Sequence, residues 1–560
     1  MSSQSRPELV AEGFPRRRPR WVELATSAEH KDIGRMLIVA ALGFLFIALV
    51  ELLLMRLQLV IPENSFLAPQ TFNRMLSLYG ATAIFFFALP LAFGLFYYVA
   101  PLQAGARGTA LPRLGQLGFW LFAGGATVLY AGFLFTPSEA GVNPLPPLSE
   151  VAFLSNNGVD AWATATGMAL LGFVLTSIDL IATLRNMRAP GMAWRRLPVF
   201  SWAAAIGSWL MLVIGPVMLA AITMLMIDRN FDGIFFADGA GGAPLLWQHL
   251  SWIFYTGAYM LVLICAFGAL AEIIPTFSRK PLFNRNAVIG SMVALAVLGP
   301  LSWLQNMLTA PIGIGWMYFG MVVALALIVP FGLIVFNLIA TMIGGTLRMR
   351  APLLFAVGAI SAISIGLAAE IEQSMVGAAW QLKNTTDATA ATHFALVGGS
   401  IFGGFAALHY WFPKMTGRTM GELLARISFW VIALGTLVAF VPLFLAGSEE
   451  GQVVDAYKFF ANTGVSTYNL IASIGVLILA IGILLTLANA IFSRTGGARA
   501  GHDQWGADTL EWFALSPPDP HNFDVLPDVR SPQPMRDIRE AIAHRTAAAE
   551  QPARESQPVA

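Results

Sequence analysis

The stretch IGRMLIVAALGFLFIALVELLLMRLQLV (33–60) decides the fold class. From Met36 to Val50 it holds no charged side chain, so a helix built from it is apolar on every face. Such a helix has no side to turn toward water, and the run exceeds the ~20 residues that a bilayer crossing needs. Comparable runs recur at about 73–100, 115–136, 162–186, 199–226, 247–274, 286–310, 316–343, 351–374, 388–412, 424–446 and 466–493. Twelve crossings are predicted. All must be helical or a closed barrel, since backbone in lipid has to satisfy its own hydrogen bonds, and runs of this length suit helices.

Composition agrees with that reading. Of 560 residues 57% are hydrophobic and 12% charged, against about a quarter charged in soluble domains. Mean hydropathy is +0.68. A net charge of +1 gives no global pull toward nucleic acid, and the lipid bilayer is the expected solvent partner. The single cysteine, Cys265, lies in an apolar run, where it can form neither an intramolecular disulfide nor a thiolate metal site alone. Three regions are predicted: a basic N-terminal segment (1–30), a twelve-helix membrane domain (31–494) and a C-terminal tail (495–560). The N-terminal segment carries Arg16, Arg17, Arg18 and Arg20 ahead of the first apolar run, and no cleavable signal peptide is expected there. The tail is rich in Pro, Asp and Arg and reads as a partly ordered aqueous extension.

An even number of crossings puts both termini on one side. Loops on that side hold Arg107, Arg113, Arg185, Arg188, Arg195, Arg196, Arg279, Lys280, Arg285, Arg348, Arg350, Lys414 and Arg418. The opposite loops hold Arg74, Arg229, Lys383 and Lys458. The positive-inside bias therefore predicts cytoplasmic termini in a bacterial-type inner membrane.

Ionisable groups within spans are costly and so are functional candidates. Glu51 stands five residues before Arg56, which suggests a snorkelling pair at the outer interface. Asp179 stands near Arg185 and Arg188, which suggests an ion pair at the cytoplasmic end. Glu370, Glu372, Asp387, Glu449 and Glu450 gather on the outer side, as solvated caps or as a cation-binding cluster. Of seven histidines, His30, His502, His521 and His544 fall in aqueous segments and His249, His393 and His409 in spans, with no HxxxH pair.

Several stretches resemble subunit I of cytochrome c oxidase, in the aa3-type branch of the haem–copper oxidases. They are RLQLVIPENSFLAPQTFN (56–73), VAPLQAGARGTALPRL (99–114), NMRAPGM (186–192), LLWQHLSWIFY (245–255), EIIPTFSRKPLF (272–283), FNLIATMIGG (336–345), HYWFPKMTGR (409–418) and WGADTLEW (505–512). The resemblance covers about 30–530, in the family's order. It implies an all-α integral membrane fold: twelve transmembrane helices arranged as three arcs around pseudo-threefold pores.

The same resemblance implies where cofactors would sit, and there this chain departs. Of the pair of histidines that grip the family's low-spin haem, the second-helix position holds Tyr79 and the tenth-helix position holds His393. The proximal ligand of the oxygen-binding haem is replaced by Ala391. Copper positions hold Thr256 in the sixth helix and Gln305-Asn306 in the seventh, with Tyr259 as the retained phenol. Amides are poor copper ligands beside imidazole. Glu449-Glu450 stand where arginines hold the haem propionates, and Lys383-Asn384 where the outer metal site lies. Gly108, Phe331 and Ile334 replace proton-channel residues. Three span histidines cannot supply six imidazole ligands. No copper is expected, and at most one haem, through His393 with Tyr79, a methionine or water opposite it. Phe85, Phe86, Phe87, Phe331 and Trp380, or lipid, are expected to fill the space instead, since empty cavity of haem size costs many kcal/mol at about 24 cal/mol per Å³.

Three functions follow from this. One is a subunit I-like member of an aerobic respiratory assembly, partnered with oxidase subunits II and III or a related complex, without its own oxygen-reduction centre. The others are an active haem-binding terminal oxidase with unusual ligation, and an ion transporter or channel on the same scaffold. Whether this is an enzyme is left open by the sequence. His249 and His409 read as packing residues.

Overall fold

A computed structural model describes residues 20–237, 241–461 and 464–555. Arg16, Arg17 and Arg18 of the basic cluster lie outside the described residues. Twelve long apolar helices are present: α1 His30–Gln58, α2 Pro69–Gln103, α3 Pro112–Phe135, α4 Gly158–Asn186, α5 Val199–Asn230, α6 Pro244–Ser278, α7 Arg285–Met307, α8 Ile314–Met342, α9 Ala351–Gln373, α10 Thr386–Thr416, α11 Glu422–Ser448 and α12 Gly464–Gly496. No strand occurs among the described residues. Each helix falls on one of the apolar runs.

Burial sorts the helices into an inner and an outer set. The apolar windows of α2, α6 and α10 are 89%, 83% and 83% buried, whereas the other nine range from 28% to 56%. Every fourth helix is therefore central, and the helices between have one face on the core and one on lipid. That spacing is the one expected of three arcs. Small residues bring the helices close: a Cβ on Gly366 of α9 would sit 2.6 Å from the Ala395 nitrogen and 2.7 Å from the Ala391 oxygen of α10. In lipid, such backbone approach is a main source of helix association.

Two inner helices are interrupted by π-helical turns, at Thr82–Ala88 in α2 and Val397–Gly403 in α10. A π turn inserts an extra residue per turn and re-aims the side chains that precede it. Tyr79 and His393 stand just before these two segments.

Three expectations change. His30, expected in an aqueous segment, begins α1 and is 1% exposed, bonded to the Tyr97 carbonyl and to Asn522. Asp179 makes no ion pair with Arg185 or Arg188; it accepts from the Tyr97 hydroxyl and, at 2.6 Å, from the Leu111 backbone nitrogen. The tail is far more tightly packed than its composition suggests, with Glu511 and Trp512 fully buried against the end of the bundle. Gln103 and Trp411 donate to one oxygen of Glu511, at 3.1 and 3.2 Å. A second C-terminal element, the helix Pro534–Glu555, is tied to the tail by Arg539, which pairs with Asp503 and Asp508.

Candidate functional site

Tyr79 and His393 face each other across the gap between α2 and α10. The His393 Nδ1 donates to the Thr389 carbonyl at 2.8 Å, which leaves Nε2 as an acceptor. The Tyr79 hydroxyl donates to that Nε2 at 3.0 Å. The two rings are parallel within 1°, their centroids 6.3 Å apart, and Phe440 covers the imidazole at 5.2 Å. The structure brings these two residues together, as a direct hydrogen bond.

That contact tests whether a haem fits. An iron held from both sides would need its ligand atoms about 4 Å apart, twice the ~2 Å that imidazole nitrogen keeps to a first-row metal. At 3.0 Å the two atoms satisfy one another and leave no room for an iron and its macrocycle between them. The residues present do not fit the group in this arrangement.

The side chains that the resemblance matched to the copper site are each bonded to a neighbouring protein group. Thr256 folds back onto its own helix, donating to the Trp252 carbonyl at 2.7 Å. Tyr259 donates to Glu370 at 2.9 Å. Gln305 accepts from Ser374 at 3.1 Å, and Asn306 accepts from Lys383 at 3.3 Å. Ala391, fully buried, lies against α9 at the close approach of Gly366. Burial pulls the Lys383 ammonium down to about 8, against the attraction of Glu370. A positive side chain there opposes cation binding, and no group of three or more His, Cys, Asp or Glu able to hold a metal occurs among the described residues.

The acidic residues expected on the outer side form no shared cation site among the described residues. Glu370 bonds Tyr259, Asp387 accepts from Gln373 at 2.7 Å, and Glu449 accepts from Tyr468 at 2.7 Å. Glu372, Glu449 and Glu450 are exposed. The expected Glu51–Arg56 pair is also absent. Glu51 accepts from Tyr130 at 3.1 Å and Thr82 at 3.5 Å, whereas Arg56 donates to the Asn469 carbonyl at 2.9 Å. The five-residue offset on a helix turns the two side chains to different neighbours. This Glu51–Thr82–Tyr130 cluster, whose second carboxylate oxygen has no partner, was invisible in sequence because its members come from three helices.

Aromatic side chains fill the interior. Phe85, Phe86, Phe87 and Phe331 are 1%, 0%, 5% and 6% exposed. Phe85 stacks on Phe254 at 5.4 Å, and Phe331 meets Phe267 at 6.1 Å. Trp380, expected among them, is instead 62% exposed, because its short helix (Val376–Leu382) lies outside the bundle core. A cavity of about 10 Å³ lies between α2, α6 and α10, far below haem size. His249 accepts from Trp303 at 3.0 Å, and His409 stacks on Phe355 at 5.0 Å, both as packing residues.

This is the architecture of a haem–copper oxidase membrane subunit. A cryo-EM structure of a heme-copper terminal oxidase dimer matches with a TM-score of 0.74, covering 89% of this chain and 88% of that one at 14% identity. The family profile described as "Cytochrome C and Quinol oxidase polypeptide I" matches residues 32–478. Cytochrome c oxidase subunit 1 of Bacillus subtilis is 34% identical over 512 residues, 91% of this chain and 82% of that protein. Quinol oxidase subunit 1 of the same organism is 34% identical over 515 residues, 91% of this chain and 79% of that protein. Heme-copper oxidase subunit I+III of Aeropyrum pernix is 34% identical over 517 residues, 91% of this chain and 62% of that protein. The chain belongs to the haem–copper oxidase subunit I family.

Proposed function

We propose that this chain is a subunit I-like component of an aerobic respiratory assembly that has no oxygen-reduction centre of its own. The observation that carries the reading is the 3.0 Å hydrogen bond from Tyr79 to His393, which closes the one position where a haem-ligand histidine is retained. The pairing of Tyr259, Gln305 and Asn306 with Glu370, Ser374 and Lys383 supports it at the copper positions. Fold and function separate here, as they do whenever a scaffold outlives the side chains of its site.

In this reading the chain lies in a bacterial-type inner membrane with both termini cytoplasmic, as the Lys/Arg bias of its loops indicates. Its partners are oxidase subunits of the II and III types or a related complex. The naming of the Aeropyrum pernix relative as subunit I+III supports a III-type neighbour. The pseudoenzyme is tested by purifying the full chain and recording its pyridine haemochrome spectrum together with its copper content. Neither haem nor copper is expected in stoichiometric amount; two haems per chain would overturn the proposal.

A further inference from the structure

A wide opening lies away from Tyr79 and His393, at the end of the bundle where the tail packs. It has a volume of about 1180 Å³ and sits between the α8–α9 loop, the α10–α11 loop, the end of α12 and the tail at Gln504-Trp505. All of these are span ends, so the opening lies at the level where one leaflet's headgroups meet the protein.

Its charge is unbalanced. Arg348 and Arg350 line it, are exposed, and make no side-chain hydrogen bond or ion pair among the described residues. Arg426 is held in place by Glu422 at 2.9 Å and by the Met349 carbonyl at 2.8 Å. Glu422 also accepts from the Ala351 nitrogen at 3.1 Å, so the one carboxylate lining this wall is already shared between two partners. Burial, then the positive charges of Arg348 and Arg539, hold the nearby Arg279 guanidinium below its usual value. Asp503 and Asp508 act on it the other way but are paired with Arg539, so the lining, with Arg348, Arg350 and Arg426 against Glu422, carries net positive charge.

The rest of the lining is apolar. Leu347 and Met349 are each 47% exposed and Phe492 is 71% exposed, beside Phe277 and Trp505. Free guanidiniums next to exposed apolar side chains, at a membrane boundary, match a ligand that is anionic at one end and hydrocarbon at the other. A soluble phosphate would use the arginines and leave the apolar wall wet. Basic pockets between transmembrane helices at such a boundary are suited to phospholipid headgroups.

We propose that this opening is a binding site for an anionic phospholipid. Arg348 and Arg350 engage the phosphodiester, and an acyl chain leaves along Phe492 on the lipid face of α12. Guanidinium suits the task because its planar fork can donate twice to one phosphate. The site is independent of the haem question, and it stands or falls on different residues.

The test uses full-length protein, delipidated in neutral detergent, with bound lipid read by native mass spectrometry. Phosphatidylglycerol is expected to bind in preference to phosphatidylcholine. The double variant Arg348→Gln with Arg350→Gln should weaken phosphatidylglycerol binding roughly 25-fold, from roughly fivefold per arginine at a membrane surface. Arg348→Lys with Arg350→Lys, which keeps the charge, should recover most of it and controls for folding. Phe492→Ala should weaken the lipid, and excess inorganic phosphate should fail to displace it. Equal binding of the two lipids, or retention of phosphatidylglycerol by the Gln variant, would overturn the proposal. Displacement by inorganic phosphate with no effect of Phe492→Ala would assign the site to a soluble phosphate and overturn it as well.

Discussion

The Tyr79 hydroxyl and the His393 Nε2 lie 3.0 Å apart, with their rings parallel and the other imidazole nitrogen committed to the Thr389 carbonyl. The pair joins two inner helices at the depth where both precede a π-helical turn. The bond joins α2 directly to α10, because two facing polar groups in a lipid-surrounded core must find partners.

Tyr79→Phe should therefore lower stability without changing colour. Removing the hydroxyl leaves the His393 Nε2 unpaired in the core, a loss of about 1–3 kcal/mol. The unfolding midpoint in detergent is expected to fall, and the visible spectrum to match that of the parent protein. A Soret band present in the parent and shifted in Tyr79→Phe would instead make Tyr79 an iron ligand.

Gly366→Ala should loosen the α9–α10 contact beside Ala391. The added methyl carbon would stand 2.6 and 2.7 Å from backbone atoms of Ala395 and Ala391, which have no flexible end to move aside. Overpacking of this kind costs about 1–3 kcal/mol. Gly290→Ala on α7, where nothing lies within 4 Å, is the control and should leave the unfolding midpoint unchanged.

The contrast between these sites shows how much the sequence could reveal. The twelve helices were legible because each apolar run is long enough to decide its own environment. Partner choice was not. Glu51 and Arg56 are close in sequence, yet one meets Tyr130 and the other Asn469, since both neighbours come from distant helices. Asp179 likewise turned inward to Tyr97 and Leu111 rather than to the arginines beyond its helix end. Tail packing was hidden for a similar reason: Glu511 and Trp512 are buried by surface that other segments provide. Trp380 shows the converse, an aromatic left outside the core by its position on a short helix.

Arg229 should prove to be a clamp at the end of the bundle away from the tail. Its guanidinium pairs with both oxygens of Asp160, at 2.9 and 3.0 Å, and donates to the carbonyls of Ser149, Leu154 and Asn156. With its side chain 1% exposed, it ties the loop before α4 to the end of α5. Arg229→Met leaves Asp160 and three carbonyls short of a donor, and breaking one side of a buried pair costs about 3–5 kcal/mol. Faster hydrogen exchange confined to residues 145–157 is the expected readout. Exchange that rises equally across the whole chain would argue against a local clamp.

Glu511 gives a prediction in pH. Burial raises its carboxyl above the ordinary value of 4.5, while the hydrogen bonds from Gln103 and Trp411 act in the other direction. Between 4.5 and the raised value the folded protein keeps a proton that the unfolded chain has released. Stability therefore falls as pH rises through that window and levels off above it. Glu511→Gln keeps an acceptor for Gln103 and Trp411 and replaces an oxygen that has no partner among the described residues, so it lacks this site's contribution to the pH dependence. The parent should then lose stability relative to Glu511→Gln between about pH 5 and about pH 8, as read from unfolding midpoints in detergent. Glu511→Ala removes the acceptor altogether, leaves two buried donors unpaired, and should be less stable than either at both pH values, by about 1–3 kcal/mol per donor. A parent and a Glu511→Gln protein with parallel pH profiles would mean that the carboxyl is ionised throughout.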